Sequence, residues 1–339
     1  MIGVSLAARN TEDVLNAFDD ALEIADILEL RIDLMDECDL ARIIPERPCQ
    51  LVVTNRTKAE GGGFEGGSSD RVRPLLQAID LGVEYVDIEE DGAHLIDDRG
   101  TTRLIVSHHD FESIPEHIDK VCRRIAERGA NVVKLVGMAV CVEDAFKVLG
   151  LLGSSPLPSI AIAMGEHGLS SRILALRHDN CLLTYCAPES EQAVAPGQIP
   201  ASVMANIYQA KSIGDGTRAI GVVSRDPIPT SVLGELNRGL RRSDIDAVAI
   251  PLRLATVDGA RLMRLAKCGF DGFWNMDGVS VGPSTDDGRD RTELEGSFAT
   301  VANGEIRATV APTIELAISL IQEAVNDLPM SEHALPRSL

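Results

Sequence analysis

Eight short apolar runs rich in β-branched residues, separated by longer amphipathic stretches, constrain this chain more than any other feature. They are IGVSLA (2–7), DILELRID (26–33), QLVVTNR (50–56), EYVDIE (84–89), RLIVSHH (103–109), NVVKLVG (131–137), SIAIAMG (159–165) and CLLTYCA (181–187). Near-continuous apolar runs of this length suit strands buried on both faces, and spacers of helix length suit crossover connections. Eight such units predict an α/β chain closed into a (β/α)8 TIM barrel rather than an open sheet. The first spacer, TEDVLNAFDDALEIA, predicts a helix capped by Thr11 with acidic residues in its first turn. No glycine-rich phosphate loop follows the first strand, which argues against nucleotide binding there. The run GGGFEGG (61–67) lacks the lysine and hydroxyl residue of such a loop and reads as a flexible segment that could serve as a lid.

The charge narrows the partners. With 32 basic and 52 acidic residues the chain carries a net charge of −20, which argues against nucleic acid and anionic membrane surfaces. Most of that charge lies in residues 1–216, so an anionic small molecule would need a local arginine cluster. No apolar run approaches the roughly 18 residues that span a bilayer. Met1 leads directly into IGVSLA, with no basic segment or cleavage site, so secretion is not expected. Seven scattered cysteines, none in a CxxC pair or at zinc spacing, predict reduced thiols, cytoplasmic residence and no metal.

Polar residues in the predicted strands are placed non-randomly. Glu29, Arg31 and Asp33 alternate along the second run, so they share a face. Arg56 ends the third run, Asp87 and Glu89 the fourth, and His109 the fifth, while Lys134 sits among Val132, Val133, Leu135 and Val136. A lone strand charge usually reaches out to solvent, but several at the C-terminal ends of barrel strands point to the catalytic face. An inward Lys134 among valines would be desolvated, its pKa lowered, and so suited to form a Schiff base with a ketone. Such chemistry needs a proton shuttle at the adjacent carbon. The stretch RLIVSHHDFE (103–112) offers two histidines, of which at most one can face the site, because neighbouring strand residues point to opposite faces.

Seven segments, ELRID (29–33), TNRTKAEGG (54–62), YVDIE (85–89), VSHHDF (106–111), VVKL (132–135), GLSSRI (168–173) and APGQI (195–199), resemble the successive motifs of type I 3-dehydroquinate dehydratase, in order and spacing over about residues 1–212. The resemblance implies the same barrel, dehydration of 3-dehydroquinate to 3-dehydroshikimate in the shikimate pathway, and no cofactor. Its Ser-x-His-Asp-Phe motif selects His109 over His108 as general acid and base. It further implies Lys134 as the Schiff-base lysine, Glu60 as the carboxylate orienting His109, and Glu29, Arg31, Arg56, Arg172 and Gln198 as substrate-binding residues. Arg172 is the expected bidentate clamp on the substrate carboxylate. The chain departs from the family at Val194, where a serine is usual, and loss of one hydrogen bond there would cost about 1 kcal/mol of binding. Two other readings are a metabolite-sensing pseudoenzyme that binds dehydroquinate without turnover, and another class I Schiff-base lyase or aldolase. Retention of Lys134 with His109, and the His109, Arg172 and Gln198 set, favour the dehydratase. A homodimer is the candidate assembly.

The remaining sequence is read as a second, smaller α/β domain. The expected division is 1–214 for the barrel, 215–328 for this domain and 329–339 for a tail. RAIGVVSRDPIPTS (218–231), DAVAIPL (246–252) and GFDGFW (269–274), with a hairpin turn at Asn303-Gly304, faintly resemble the substrate-binding domain of shikimate dehydrogenase. In the best register Ser280 replaces that family's lysine, Pro312 its aspartate, and Leu233 the second of its paired substrate serines, Ser231 being the first. About 27 residues follow Pro312, without a glycine-rich turn, so no dehydrogenase activity is expected.

Overall fold

The computed structural model describes residues 1–6, 8–21, 24–189, 195–255, 257–277, 297–302, 305–311 and 313–327. Val194, Ser280, the Asn303-Gly304 turn, Pro312 and the tail 329–339 lie outside the described residues. The chain forms two compact units, Met1–Ala205 and Asn206–Leu339.

In the first unit eight strands, β1 (Ile2–Leu6), β2 (Ile27–Arg31), β3 (Gln50–Thr54), β4 (Tyr85–Glu89), β5 (Arg103–Asp110), β6 (Val132–Met138), β7 (Ser159–Met164) and β8 (Thr184–Cys186), make one parallel sheet. Their order is β7-β6-β5-β4-β3-β2-β1-β8. The ends meet at a thin seam, where Ser159 N–H donates to the Asn180 carbonyl at 2.8 Å and Leu182 N–H to the Ser159 carbonyl at 2.9 Å. The sheet is thus the expected (β/α)8 barrel. Its apolar runs become strands because branched side chains fill both faces: Ile27, Val52, Ile105, Val132, Ile160 and Leu183 pack inside the barrel with Tyr85 and Tyr185, and the alternate residues Leu28, Val53, Leu104 and Val133 are buried on the other face.

Helices α1 (Thr11–Ala21), α2 (Leu40–Glu46), α3 (Ser68–Asp80), α4 (Ile118–Glu127), α5 (Val142–Ser154), α6 (Leu169–Leu174) and α7 (Ala201–Asn206) alternate with the strands. Three details differ from the sequence reading. Asn10, not Thr11, caps α1: its side-chain carbonyl accepts from Asp13 N–H at 3.0 Å, while the Thr11 hydroxyl donates to Glu37. The β4–β5 connection holds only a 3-10 turn, Ala93–Leu95, with buried Ala93 and Ile96 as its apolar cover. The glycine-rich segment is a hydrogen-bonded turn rather than a loose lid: Phe64 N–H donates to the Arg56 carbonyl, Lys58 N–H to the Phe64 carbonyl and Gly62 N–H to the Thr57 carbonyl. A Cβ on Gly62 would stand 2.1 Å from the Arg56 carbonyl oxygen. Gly61, at φ +76°, would carry one 2.2 Å from the Phe111 ring. These glycines serve close approach, not freedom.

The second unit is a five-stranded mixed sheet in the order β10-β9-β11-β12-β13. Its elements are β9 (Arg218–Ser224), α8 (Thr230–Arg242), β10 (Ala247–Arg253), α9 (Gly259–Lys267), β11 (Gly272–Asn275), β12 (Ser297–Ala302), β13 (Glu305–Val310) and α10 (Ile314–Asp327). Parallel pairing of β10, β9 and β11 gives way to antiparallel pairing of β11, β12 and β13. Leu233, Leu236 and Leu240, one stripe of α8, pack with Ile220, Val222 and Trp274. Buried Asn237 grips both the N–H and the carbonyl of Ala249, tying α8 to β10.

Candidate active site

The pleat carries the site. Along β2, β4, β5 and β6 alternate residues turn inward, and beyond the layer of Ile27, Tyr85, Ile105 and Val132 the next inward positions are Glu29, Asp87, Ser107 and Lys134. Lys134 is buried, and its Nζ lies 2.7 Å from Asp87 Oδ2 and 3.1 Å from Glu29 Oε1. The flanking valines suggested an apolar wall; the structure instead gives this ammonium two carboxylate partners. The aromatic face of Tyr185 adds a third contact, 4.8 Å from Nζ to the ring centroid.

Those carboxylates are themselves held. Glu29 accepts from the Ser5 hydroxyl at 2.7 Å and the Thr54 hydroxyl at 3.0 Å. Burial would raise its pKa, but Lys134 and Arg31 outweigh burial and hold it below the usual range. Asp87 accepts from Arg56 at 2.8 Å and from the Ser107 hydroxyl at 2.7 Å. Burial opposes its ionisation too, and Arg56 and Lys134 prevail, keeping it far below the ordinary carboxylate value. Arg56 continues outward to Glu89, Glu89 to Arg71, and Arg71 to the exposed Asp91, so that charges alternate from Lys134 to the surface.

His109 has a different environment. Its Nδ1 lies 2.9 Å from Glu60 Oε2, and its backbone N–H donates to the same oxygen at 3.0 Å. Burial pushes the imidazole well below its ordinary pKa, with Arg56 and Lys134 acting in the same direction. Burial pushes Glu60 up to about 7. A neutral imidazole with Nδ1 on Glu60 keeps Nε2 for a ligand. His108 points the other way and meets Glu90, itself gripped twice by Arg124.

All eight residues given a role in the sequence reading, Glu29, Arg31, Arg56, Glu60, His109, Lys134, Arg172 and Gln198, line one cavity that opens to solvent. They are not equivalent. Arg31 is held bidentately by Asp33, and Arg56 by Asp87 and Glu89, so neither offers a bare charge. Arg172, on α6, is 1% exposed and donates only to backbone carbonyls, those of Tyr185 at 3.3 Å and Pro196 at 3.4 Å. Among the described residues it has no carboxylate partner, its Nε is unpaired, and burial lowers it to about 10. A buried guanidinium in that state is a site for an anion. Gln198 Oε1 accepts from the Ala195 N–H, which fixes the loop beside Arg172. Apolar Val136, Ile162, Met164 and Phe111 complete the wall.

Sequence reasoning placed Asp87 on the catalytic face without giving it a role, and left out Ser107, Ser5 and Tyr185. Asp87 had a signal, an inward strand position one residue from two aliphatic neighbours. Ser107 stands beside Lys134 in the β5–β6 register, a relation visible only after the strands pair.

Comparison with known proteins agrees with this arrangement. A family model described as type I 3-dehydroquinase matches residues 2–215. The chain is 32% identical over 218 residues to 3-dehydroquinate dehydratase of Methanococcus maripaludis, covering 62% of this chain and 99% of that protein. It is also 32% identical over 213 residues to the chloroplastic bifunctional 3-dehydroquinate dehydratase/shikimate dehydrogenase of Arabidopsis thaliana, covering 59% of this chain but only 35% of that longer protein. In fold it is similar to the dehydroquinate dehydratase and shikimate dehydrogenase structure from S. pombe AroM, at a TM-score of 0.53 and 21% identity, covering 91% of this chain and 63% of that one. With a family model matched over more than half its length, the chain belongs to the type I 3-dehydroquinase family.

Proposed function

We propose that the barrel dehydrates 3-dehydroquinate to 3-dehydroshikimate, a step of the shikimate pathway, through an imine on Lys134 with His109 as general acid and base. The observation that carries this reading is one cavity holding a buried lysine, a carboxylate-oriented neutral histidine and an arginine that, among the described residues, has no counter-ion. The Arg172 guanidinium grips the substrate carboxylate. Lys134 gives up a proton, its nitrogen adds to the C3 ketone, and water leaves to form the iminium. Neutral His109 then takes a proton from C2, the iminium receives the electron pair, and His109 returns the proton to the C1 hydroxyl as it departs as water. Hydrolysis of the imine frees the enone and the lysine. Glu60 holds the imidazole through Nδ1 and stabilises the imidazolium formed in between.

The test is appearance of the conjugated enone by ultraviolet absorbance on mixing protein with 3-dehydroquinate. Borohydride added with substrate should inactivate the protein and place a ligand mass on the peptide containing Lys134. A Lys134→Ala variant with undiminished turnover would remove the mechanism.

For the second unit we propose a domain at 215–328 related to the substrate-binding half of shikimate dehydrogenase but without its chemistry, followed by a tail at 329–339. Support comes from Leu233, packed in the core where the family register expects a substrate serine, while Ser231 is exposed. Ser280 and Pro312 occupy the lysine and aspartate positions of that register. Shikimate with NADP or NAD at high protein concentration should yield no reduced cofactor. Seven scattered cysteines, none in a CxxC pair, suit a reducing compartment, and cytoplasmic residence is the corresponding reading.

A further inference from the structure

Tyr185 is a buried titratable group in the cavity wall that the mechanism above leaves unused. It sits on β8, 3% exposed, with its ring packed so tightly that a Cβ on Gly3 would lie 3.0 Å from it. Its backbone carbonyl accepts from Arg172, and its ring faces the Lys134 ammonium. One residue therefore spans the nucleophile and the unpaired guanidinium. Its hydroxyl is buried and faces the Glu29 carboxylate, but among the described residues it closes no hydrogen bond within donor–acceptor range. A buried donor left unpaired costs about 1–3 kcal/mol, so a ligand acceptor is the natural partner for an orphan that lines a cavity. Burial, with Glu29 and Asp87 nearby, pushes the phenol well above its ordinary pKa. The group therefore stays protonated and keeps a proton to donate.

Building on the imine reading, we propose that the Tyr185 hydroxyl donates a hydrogen bond to the C3 oxygen of the substrate while Lys134 adds to that carbon. As the Nζ–C3 bond forms, the carbonyl π pair moves onto oxygen, and the phenol stabilises the charge that develops there. The oxygen takes up the proton shed by the attacking nitrogen, receives as its second the proton that the Lys134 ammonium gave up before the attack, and leaves as water while the nitrogen lone pair forms the C=N bond. Tyr185 keeps its own proton throughout, so it accelerates imine formation and contributes nothing to the later removal of the C2 proton.

Tyr185→Phe tests this, because it keeps the ring, its packing and its contact with the ammonium. Wild-type protein and variant are mixed with 3-dehydroquinate in a single turnover, quenched at intervals with borohydride, and assayed for ligand mass on the Lys134 peptide and for enone. The variant should form trapped imine about 100- to 1,000-fold more slowly, as for loss of one donor to a developing oxyanion. Decay of its imine to enone should proceed at the wild-type rate, and its thermal midpoint should be unchanged or higher. Equal rates of imine formation in the two proteins would overturn the role of Tyr185 while leaving the imine reading intact. Slowing of both steps by the same factor would also overturn it, indicating general disturbance of the site. No ligand mass on wild-type Lys134 despite enone production would overturn the imine reading, and this proposal with it.

Discussion

At the scale of residues, adjacent histidines in β5 share a strand and almost nothing else. His109→Ala should lower turnover by about 100-fold or more, because it removes the imidazole that lines the cavity with Lys134, whereas His108→Ala should change it little. Steady-state kinetics on the two variants checks the ranking, and the reverse order would contradict the β5 register described above. Glu60 offers a subtler trade. Its native pKa of about 7 lies above the unfolded value of 4.5, so the folded protein binds the extra proton between those values. The carboxyl then costs stability progressively as pH rises through that window, and the cost is complete above pH 7. Glu60→Gln should therefore raise stability at pH 8 by about 1–2 kcal/mol, allowing for its partial exposure, and by little at pH 4. It should lower turnover at the same time, since a neutral amide does not stabilise an imidazolium. Chemical denaturation at the two pH values, beside an activity assay, reads both effects.

At the scale of elements, the eight strands were legible because a strand buried on both faces has a composition that little else shares. The β4–β5 connection was not legible, since a 3-10 turn bearing Ala93 and Ile96 covers the sheet without any helical period to announce it. Glycines 61–63 misled for another reason. Composition does not distinguish a glycine needed for mobility from one needed because a carbonyl stands where its side chain would be. Gly62→Ala decides between the two. The added methyl would meet the Arg56 carbonyl oxygen and push apart the turn that carries Glu60. Activity should fall at least about tenfold through misplacement of the His109 partner, with a loss of stability of 1–3 kcal/mol as an order of magnitude. A flexible lid would tolerate the methyl.

At the scale of the molecule, Lys134 and His109 were readable from motifs, but the charges around them were not. Lys134 meets Glu29 across 105 positions of sequence and Asp87 across 47, and only closure of the barrel decides which strand charges face one another. The expected positive cluster was also too simple: two of its three arginines are already neutralised by neighbouring carboxylates, which leaves Arg172 as the bare charge. Closure has a further consequence. The β7–β8 seam is the ring's weakest joint, and the groups proposed to hold substrate lie on both sides of it, with Lys134 on β6, Arg172 after β7 and Gln198 after β8. A bound ligand would act as a clasp across the gap. In the Lys134→Ala variant, which cannot turn the ligand over, saturating 3-dehydroquinate should slow amide hydrogen exchange at Leu182 and Ser159 by at least about tenfold, if seam opening expels the ligand. Amides in the middle of β3 and β4, paired on both sides, should slow less. The enzyme's loosest amides would then be those that its substrate quiets most.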